Sequence, residues 1–168
     1  MKIFLIGFMG SGKTTVGRLL AVQLGIDFVD TDRFIEMHQG MTIAEIFAKH
    51  GEAVFREMER KMLLDLKKYG SAVVATGGGM PCYNDNMSIM LANGKVAYLK
   101  TSPQELAQRL SLSNNERPLI KGKTENEMLH YITKQLSERE PTYNRAHITV
   151  ITDNFSIEEI VSSFEICL

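Results

Sequence analysis

The eight residues Gly7-Phe8-Met9-Gly10-Ser11-Gly12-Lys13-Thr14 follow a short apolar run, Lys2 to Ile6, and lead into a stretch where Val16, Leu19, Leu20 and Leu24 recur at helical spacing. A glycine, four residues, a second glycine, a lysine and a hydroxyl residue, set between a strand and a helix, is the pattern of a phosphate-binding loop. The spacing has a mechanical reason. Glycines let successive backbone N–H groups converge on a β-phosphate, and the following helix adds the positive end of its dipole. Lys13 is then placed to span β- and γ-phosphates, and Thr14 to offer its hydroxyl directly to Mg2+. A glycine-rich turn with a surface lysine is the alternative, and the flanking strand and helix argue against it. A purine nucleoside triphosphate is the expected ligand.

Short apolar runs alternate with longer amphipathic ones along the rest of the chain, the pattern that stacks helices on a mainly parallel sheet. The expected strands are Lys2 to Ile6, Asp27 to Val29, Ala72 to Ala75, Val96 to Leu99 and Ile148 to Ile151. Core-facing helices are expected over Lys13 to Leu24 and over Gly51 to Tyr69, the latter through Val54, Phe55, Met58, Met62 and Leu66. Thr42-Ile43-Ala44-Glu45 matches a capping box, so a shorter helix should start there and stop near Gly51. The 168 residues, at about 150 per domain, imply one domain over 1–168, with a helical excursion over 31–69 and a polar segment over 111–123. The scattered methionines read as core filler.

The 19 Lys plus Arg against 20 Asp plus Glu leave a net charge of −1, which supplies no positive field for a nucleic-acid backbone. Any anion must be held locally. Cys82 and Cys167 form neither a CxxC pair nor a zinc cluster, so a reduced, cytoplasmic setting is expected. Gly7 and Gly10 interrupt the apolar start of the chain, and no stretch approaches a membrane span. The guanine-reading Asn-Lys-x-Asp does not occur, which counts against a GTPase switch.

Three groups suggest an acceptor. Asp30 and Asp32 close the second strand and, if the backbone stays extended, point to one face. They could serve a metal through its waters and a substrate hydroxyl, or Asp32 could merely cap a helix beginning at Arg33. Glu52, Arg56 and Arg60 recur every fourth residue with Glu59 a turn beyond Arg56, which suits a solvated ion-pair face or a ligand arginine. Gly77-Gly78-Gly79 sits at the carboxyl end of the third strand, where ligands of open α/β sheets gather.

Together with Arg117-Pro118-Leu119 and Arg139-Glu140-Pro141-Thr142-Tyr143, these segments resemble the shikimate kinase family in order and spacing, from Lys2 to about Ile151. The resemblance implies an adenylate-kinase-like α/β fold, a three-layer sandwich around a five-stranded parallel sheet. It implies an ATP- and Mg2+-dependent kinase, a cytoplasmic monomer that phosphorylates the 3-hydroxyl of shikimate. It assigns ATP to Gly10, Ser11, Gly12, Lys13, Thr14 and Thr15, with Arg109 near the adenine and Arg117 reaching from a lid over 111–123. Asp32 falls on the reacting hydroxyl, and Arg56 and Arg139 on the substrate carboxylate. Gly77, Gly78 and Gly79 fall beside the substrate, and Asp30 near the metal's waters. Lys13, Asp32 and Arg117 are the implied catalytic set. A gluconate or nucleoside monophosphate kinase would share the loop but not this acceptor set.

The chain departs from the family at Thr152-Asp153-Asn154-Phe155, which supplies no basic residue beside the adenine. Cys82 lies close after the glycine triplet and reads as a packed thiol. His38, His50, His130 and His147 form no motif.

Overall fold

The computed structural model describes residues 1–112 and 124–167, so Arg117 and most of the proposed lid lie outside the described residues. Its centre is β1 (Lys2–Ile6), whose residues after Lys2 are wholly buried. Such an uninterrupted apolar strand suits only the middle of a sheet covered on both faces. The sheet has the order β2-β3-β1-β4-β5 and every pairing is parallel. The other strands are β2 (Asp27–Asp30), β3 (Ala72–Ala75), β4 (Lys95–Lys100) and β5 (Ile148–Ile151). The expected bounds differ by one residue at β2 and by one at each end of β4.

Alternation along β1 divides the core into two. Ile3 and Leu5 face α1 (Lys13–Leu24) and α7 (Ile157–Cys167). Phe4 and Ile6 face the larger layer, built from α2 (Thr31–Gln39), α3 (Ile43–Asp65), α4 (Asn86–Asn93), α5 (Pro103–Leu112) and α6 (Glu125–Tyr143). The result is the three-layer α/β sandwich. Because β2 and β3 lie on one side of β1 and β4 on the other, the strand order reverses at β1. Crevices for ligands open at such a point, above the strands' carboxyl ends.

Three expectations about packing need correction. In α1 the buried stripe is Val16, Gly17, Leu20 and Ala21, while Leu19 and Leu24 are exposed. Small residues win that face because the helix lies close on the sheet: a Cβ on Gly17 would come within 2.6 Å of the Phe28 ring. In α3, Phe55, Met62 and Leu63 are buried but Val54 is exposed. Of the methionines, Met62, Met80, Met87, Met90 and Met128 fill the core, whereas Met1 and Met37 face solvent.

The excursion between β2 and β3 starts with a cap. Asp30, the last residue of β2, accepts a hydrogen bond from the Arg33 N–H at 3.3 Å, so α2 begins at Thr31 and Asp32 lies in its first turn. The strand therefore ends before the second aspartate, and Asp30 rather than Asp32 caps the helix. Next, the Thr42–Glu45 capping box forms reciprocally and opens α3. Gly51, at φ 79°, breaks that helix into two segments. Only a residue without Cβ takes this turn cheaply, and it redirects the second segment, with Arg56 and Glu59, toward the glycine triplet.

Candidate active site

Between β1 and α1 the backbone turns through Gly10 at φ 85° and Gly12 at φ 92°, left-handed conformations that curl the loop into a nest. Lys13 folds over it, its Nζ donating to the carbonyls of Gly7 at 2.9 Å and Phe8 at 2.8 Å. A cleft of about 410 Å³ opens from this loop and is bordered by Gly10, Gly12, Lys13, Thr14, Thr15, Asp30, Asp32, Gly77, Gly78 and Arg109. The structure thus brings together ten of the predicted site residues around one opening. Ser11 lies buried in the loop beneath it.

Thr14 Oγ1 donates to Asp30 Oδ2 at 2.9 Å across the cleft mouth. One hydroxyl and one carboxylate, both hard oxygen donors, suit Mg2+, which takes few protein ligands and keeps waters and phosphate oxygens. Asp32 is the deeper carboxylate. Burial raises its pKa, the negative charge of Asp30 adds to the effect, and the cations Lys13 and Arg56 oppose it. A carboxylate made more basic this way is better suited to accept a proton.

The glycine triplet is the hinge of the site's geometry. A Cβ on Gly77 would lie 2.7 Å from Asp32 Oδ1, and one on Gly79 3.1 Å from Arg56 Nη2. Gly78 packs against the backbone of the phosphate loop, 3.3 Å from the Met9 nitrogen on the same measure. Side chains are absent here because acceptor carboxylate, phosphate loop and arginine all converge on this backbone.

Arg56 and Arg139 stand behind the triplet. The Arg56 guanidinium lies 3.8 Å above the Tyr83 ring, with its Nη1 donating to Glu59 at 2.9 Å and its Nη2 to Glu52 at 2.8 Å. Burial works against its charge, but Glu59 and Glu52 outweigh that and raise its pKa. It is neither the purely solvated face nor a bare ligand: one edge is buried against Glu59, the other half-open. Arg60 instead points outward to Asp85. Arg139 donates to Gln135 at 2.8 Å and lies 5.4 Å from the centre of the Phe8 ring, bringing α6 to the phosphate loop.

The shikimate kinase family model matches residues 9–168. The chain belongs to the shikimate kinase family. A shikimate kinase of Parabacteroides distasonis is 42% identical over 160 residues, covering 95% of this chain and 92% of that one. The crystal structure of the shikimate kinase of Bacteroides thetaiotaomicron matches with a TM-score of 0.94 at 37% identity, over 99% of this chain and 97% of its own. That of Acinetobacter baumannii, solved in complex with shikimate, gives 0.86 at 36% identity over 98% and 90%. A deoxyadenosine kinase at 14% identity and TM-score 0.60 shares the fold.

In this shikimate kinase family member, two buried positions matter that sequence reasoning did not single out. Thr31 is fully buried and its hydroxyl accepts from the Gly77 N–H at 2.8 Å. Tyr143 is also fully buried, and its hydroxyl donates to the Gly78 carbonyl at 2.5 Å. Both lay inside motifs already noticed, Asp30-Thr31-Asp32 and the Arg139 to Tyr143 segment, but as spacers between charged residues. Arg109 reaches the segment that lacks a basic residue: its Nη2 donates to the Thr152 carbonyl at 3.0 Å and its Nε to Glu105 at 2.8 Å. Cys82 sits near Arg139 and Thr142, and burial raises its thiol pKa, so it is a packed thiol.

Glu59, read from the sequence as lying a turn beyond Arg56, is 1% exposed. Burial pushes its carboxyl up to about 7, against the pull of Arg56 and with added repulsion from Asp32 and Glu52. An acid whose pKa is raised on folding holds its proton more tightly folded than unfolded. Its contribution is full below the ordinary carboxylate range and is lost as pH climbs through about 7. Glu59→Gln does not titrate. Its melting temperature, relative to the parent, should therefore rise as pH goes from about 5 to about 8. Thermal melts across that range check this, and parallel curves for the two proteins would contradict it.

Proposed function

We propose that this chain transfers the γ-phosphoryl group of ATP to the 3-hydroxyl of shikimate, giving shikimate 3-phosphate and ADP for aromatic amino-acid biosynthesis. The observation that carries the reading is the shared cleft: a basic carboxylate, Asp32, opens onto the same space as the phosphate loop and its ammonium. Mg2+ would be held directly by Thr14 and through water by Asp30, and when bound it neutralises charge on the phosphates.

The protein's own residues do the rest. Gly10, Ser11, Gly12, Lys13, Thr14 and Thr15 cradle the phosphates, Arg109 borders the nucleotide, and Arg117, outside the described residues, is assigned to the ATP phosphates. Arg56 and Arg139 grip the acceptor's carboxylate, since a planar fork matches a carboxylate. Gly77, Gly78 and Gly79 hold the acceptor's ring edge by close backbone approach. Asp32 receives the hydroxyl proton as the acceptor oxygen bonds to the γ-phosphorus and the bond from that phosphorus to the β–γ bridging oxygen breaks. Phosphoryl transfer needs mostly such positioning and charge balance.

No helix among the described residues is long and apolar enough to cross a membrane. We place the enzyme in the cytoplasm as a monomer, one domain with an acceptor-binding excursion over 31–69. A coupled ADP-release assay with Mg2+ and ATP tests the function. Shikimate should raise turnover far above the acceptor-free rate, because the site assembles productively only around the right acid. Equal stimulation by gluconate or a nucleoside monophosphate, or none by shikimate, would overturn it.

A further inference from the structure

Glu52 occupies a place that the acceptor-site reading reserves for another carboxylate. Its Oε1 accepts from both Arg56 Nε at 3.2 Å and Arg56 Nη2 at 2.8 Å. That is one whole edge of the guanidinium fork, the edge a carboxylate ligand takes in a two-bond grip. The Arg56 hydrogen bond, then one from Tyr83, then the charges of Arg56 and Arg139, hold the Glu52 carboxyl below the usual carboxylate range. Arg56, one of the two arginines assigned to the acceptor, therefore already holds a carboxylate of the chain itself.

The two glutamates on Arg56 differ in kind. Glu59, buried, holds Nη1 and fixes the guanidinium from below. Glu52 is 52% exposed, one residue after the break at Gly51, and it can swing into water. Arg56 is 14% exposed but Glu52 52%, so releasing Glu52 to water costs less than breaking a fully buried pair.

We propose that Glu52 is an internal competitor for the acceptor's carboxylate and so sets acceptor affinity. A ligand offering only a carboxylate must displace Glu52, which offsets part of its grip on Arg56. An acid that also places hydroxyls on Asp32 and the triplet gains enough to win. Every carboxylate ligand meets the same filled edge, so the displacement cost is common to all of them and a ligand with few other contacts is held too weakly to stay. This rests on the reading that Arg56 and Arg139 hold the acceptor.

The test uses calorimetry on the full-length protein, with shikimate and with cyclohexene-1-carboxylate as a carboxylate-only probe. Three variants are compared: Glu52→Gln, Arg56→Ala and, as a charge control, Glu57→Gln. Glu57 is an exposed residue of α3 whose contact is Asn84 at 3.4 Å. Glu52→Gln should tighten shikimate about two- to fivefold, the worth of one exposed ion pair, and should tighten the carboxylate-only probe at least as much. Glu57→Gln should shift neither. If Glu52 instead orients Arg56, the Gln variant binds shikimate more weakly. That result, unchanged binding, or an equal gain in Glu57→Gln overturns the proposal. Wild-type shikimate binding by Arg56→Ala would overturn the acceptor-site reading itself, while lost binding there beside no gain in Glu52→Gln overturns the competitor alone.

Discussion

Lys13→Met and Asp32→Asn should each lower kcat on the order of 100-fold or more, with folding retained. Lys13 is only 8% exposed and its ammonium is fixed over the loop by the Gly7 and Phe8 carbonyls. Methionine keeps the length of the side chain and removes the charge that balances the migrating phosphoryl. Asp32→Asn is the sharper of the two because the fold separates the aspartates' duties. The helix cap belongs to Asp30, so the substitution leaves α2's start intact and removes chiefly a proton acceptor whose basicity burial has raised. Steady-state assays beside thermal melts check both variants. Near-wild-type kcat in Asp32→Asn, with an unchanged melt, would withdraw its catalytic role.

The fold was legible because its signals are local and agree with one another. An apolar strand feeding a glycine loop and then a helix forces β1 to the centre of a parallel sheet, and the capping box at Thr42 to Glu45 forms as read. What misled was the assumption that large apolar residues mark a helix's inner face. In α1 the closeness of Phe28 made Gly17 the buried residue and left Leu19 outside. Periodicity records side-chain size, not how near the partner element lies.

The site was legible as a set of charged residues and glycines, and less so as an arrangement. The spacing of Asp30 and Asp32 suggested two carboxylates on one extended face, yet the strand stops between them and each takes its own task. Arg56 was balanced between ion-pair face and ligand arginine. The structure gives the ion-pair face a buried half and an open half, since Gly51 turns the helix so that Glu59 is buried and Glu52 is not. The neutral partners Thr31 and Tyr143 stood inside the noticed motifs but carried no charge to mark them. Contacts to backbone carbonyls and N–H groups across 46 and 65 residues of sequence depend on tertiary structure alone.

Arg56→Ala should cost roughly 2 to 5 kcal/mol of acceptor binding, the range for removing one member of a buried charge pair, and leave the KM for ATP near its parent value. Because the carboxylate lies away from the reacting hydroxyl, most of the loss should appear in the KM for shikimate, with a smaller drop in kcat from misplacement. The same change strips Glu59 of its partner inside the protein, so the melting temperature should fall as well, and stability must be separated from binding. Arg56→Lys does this. An ammonium can still meet Glu59, so much of the stability should return, but it cannot offer two parallel N–H donors to a second carboxylate. Shikimate KM in the Lys variant should therefore stay well above wild type although the melt recovers. Arg139→Ala supplies the complementary case: its guanidinium meets Gln135, the Phe8 ring and the Tyr143 hydroxyl, not a buried carboxylate. There acceptor KM should rise with little change in the melt. Unchanged shikimate KM in both alanine variants would mean that the arginines serve the fold alone, and the acceptor would then have to be held elsewhere in the cleft.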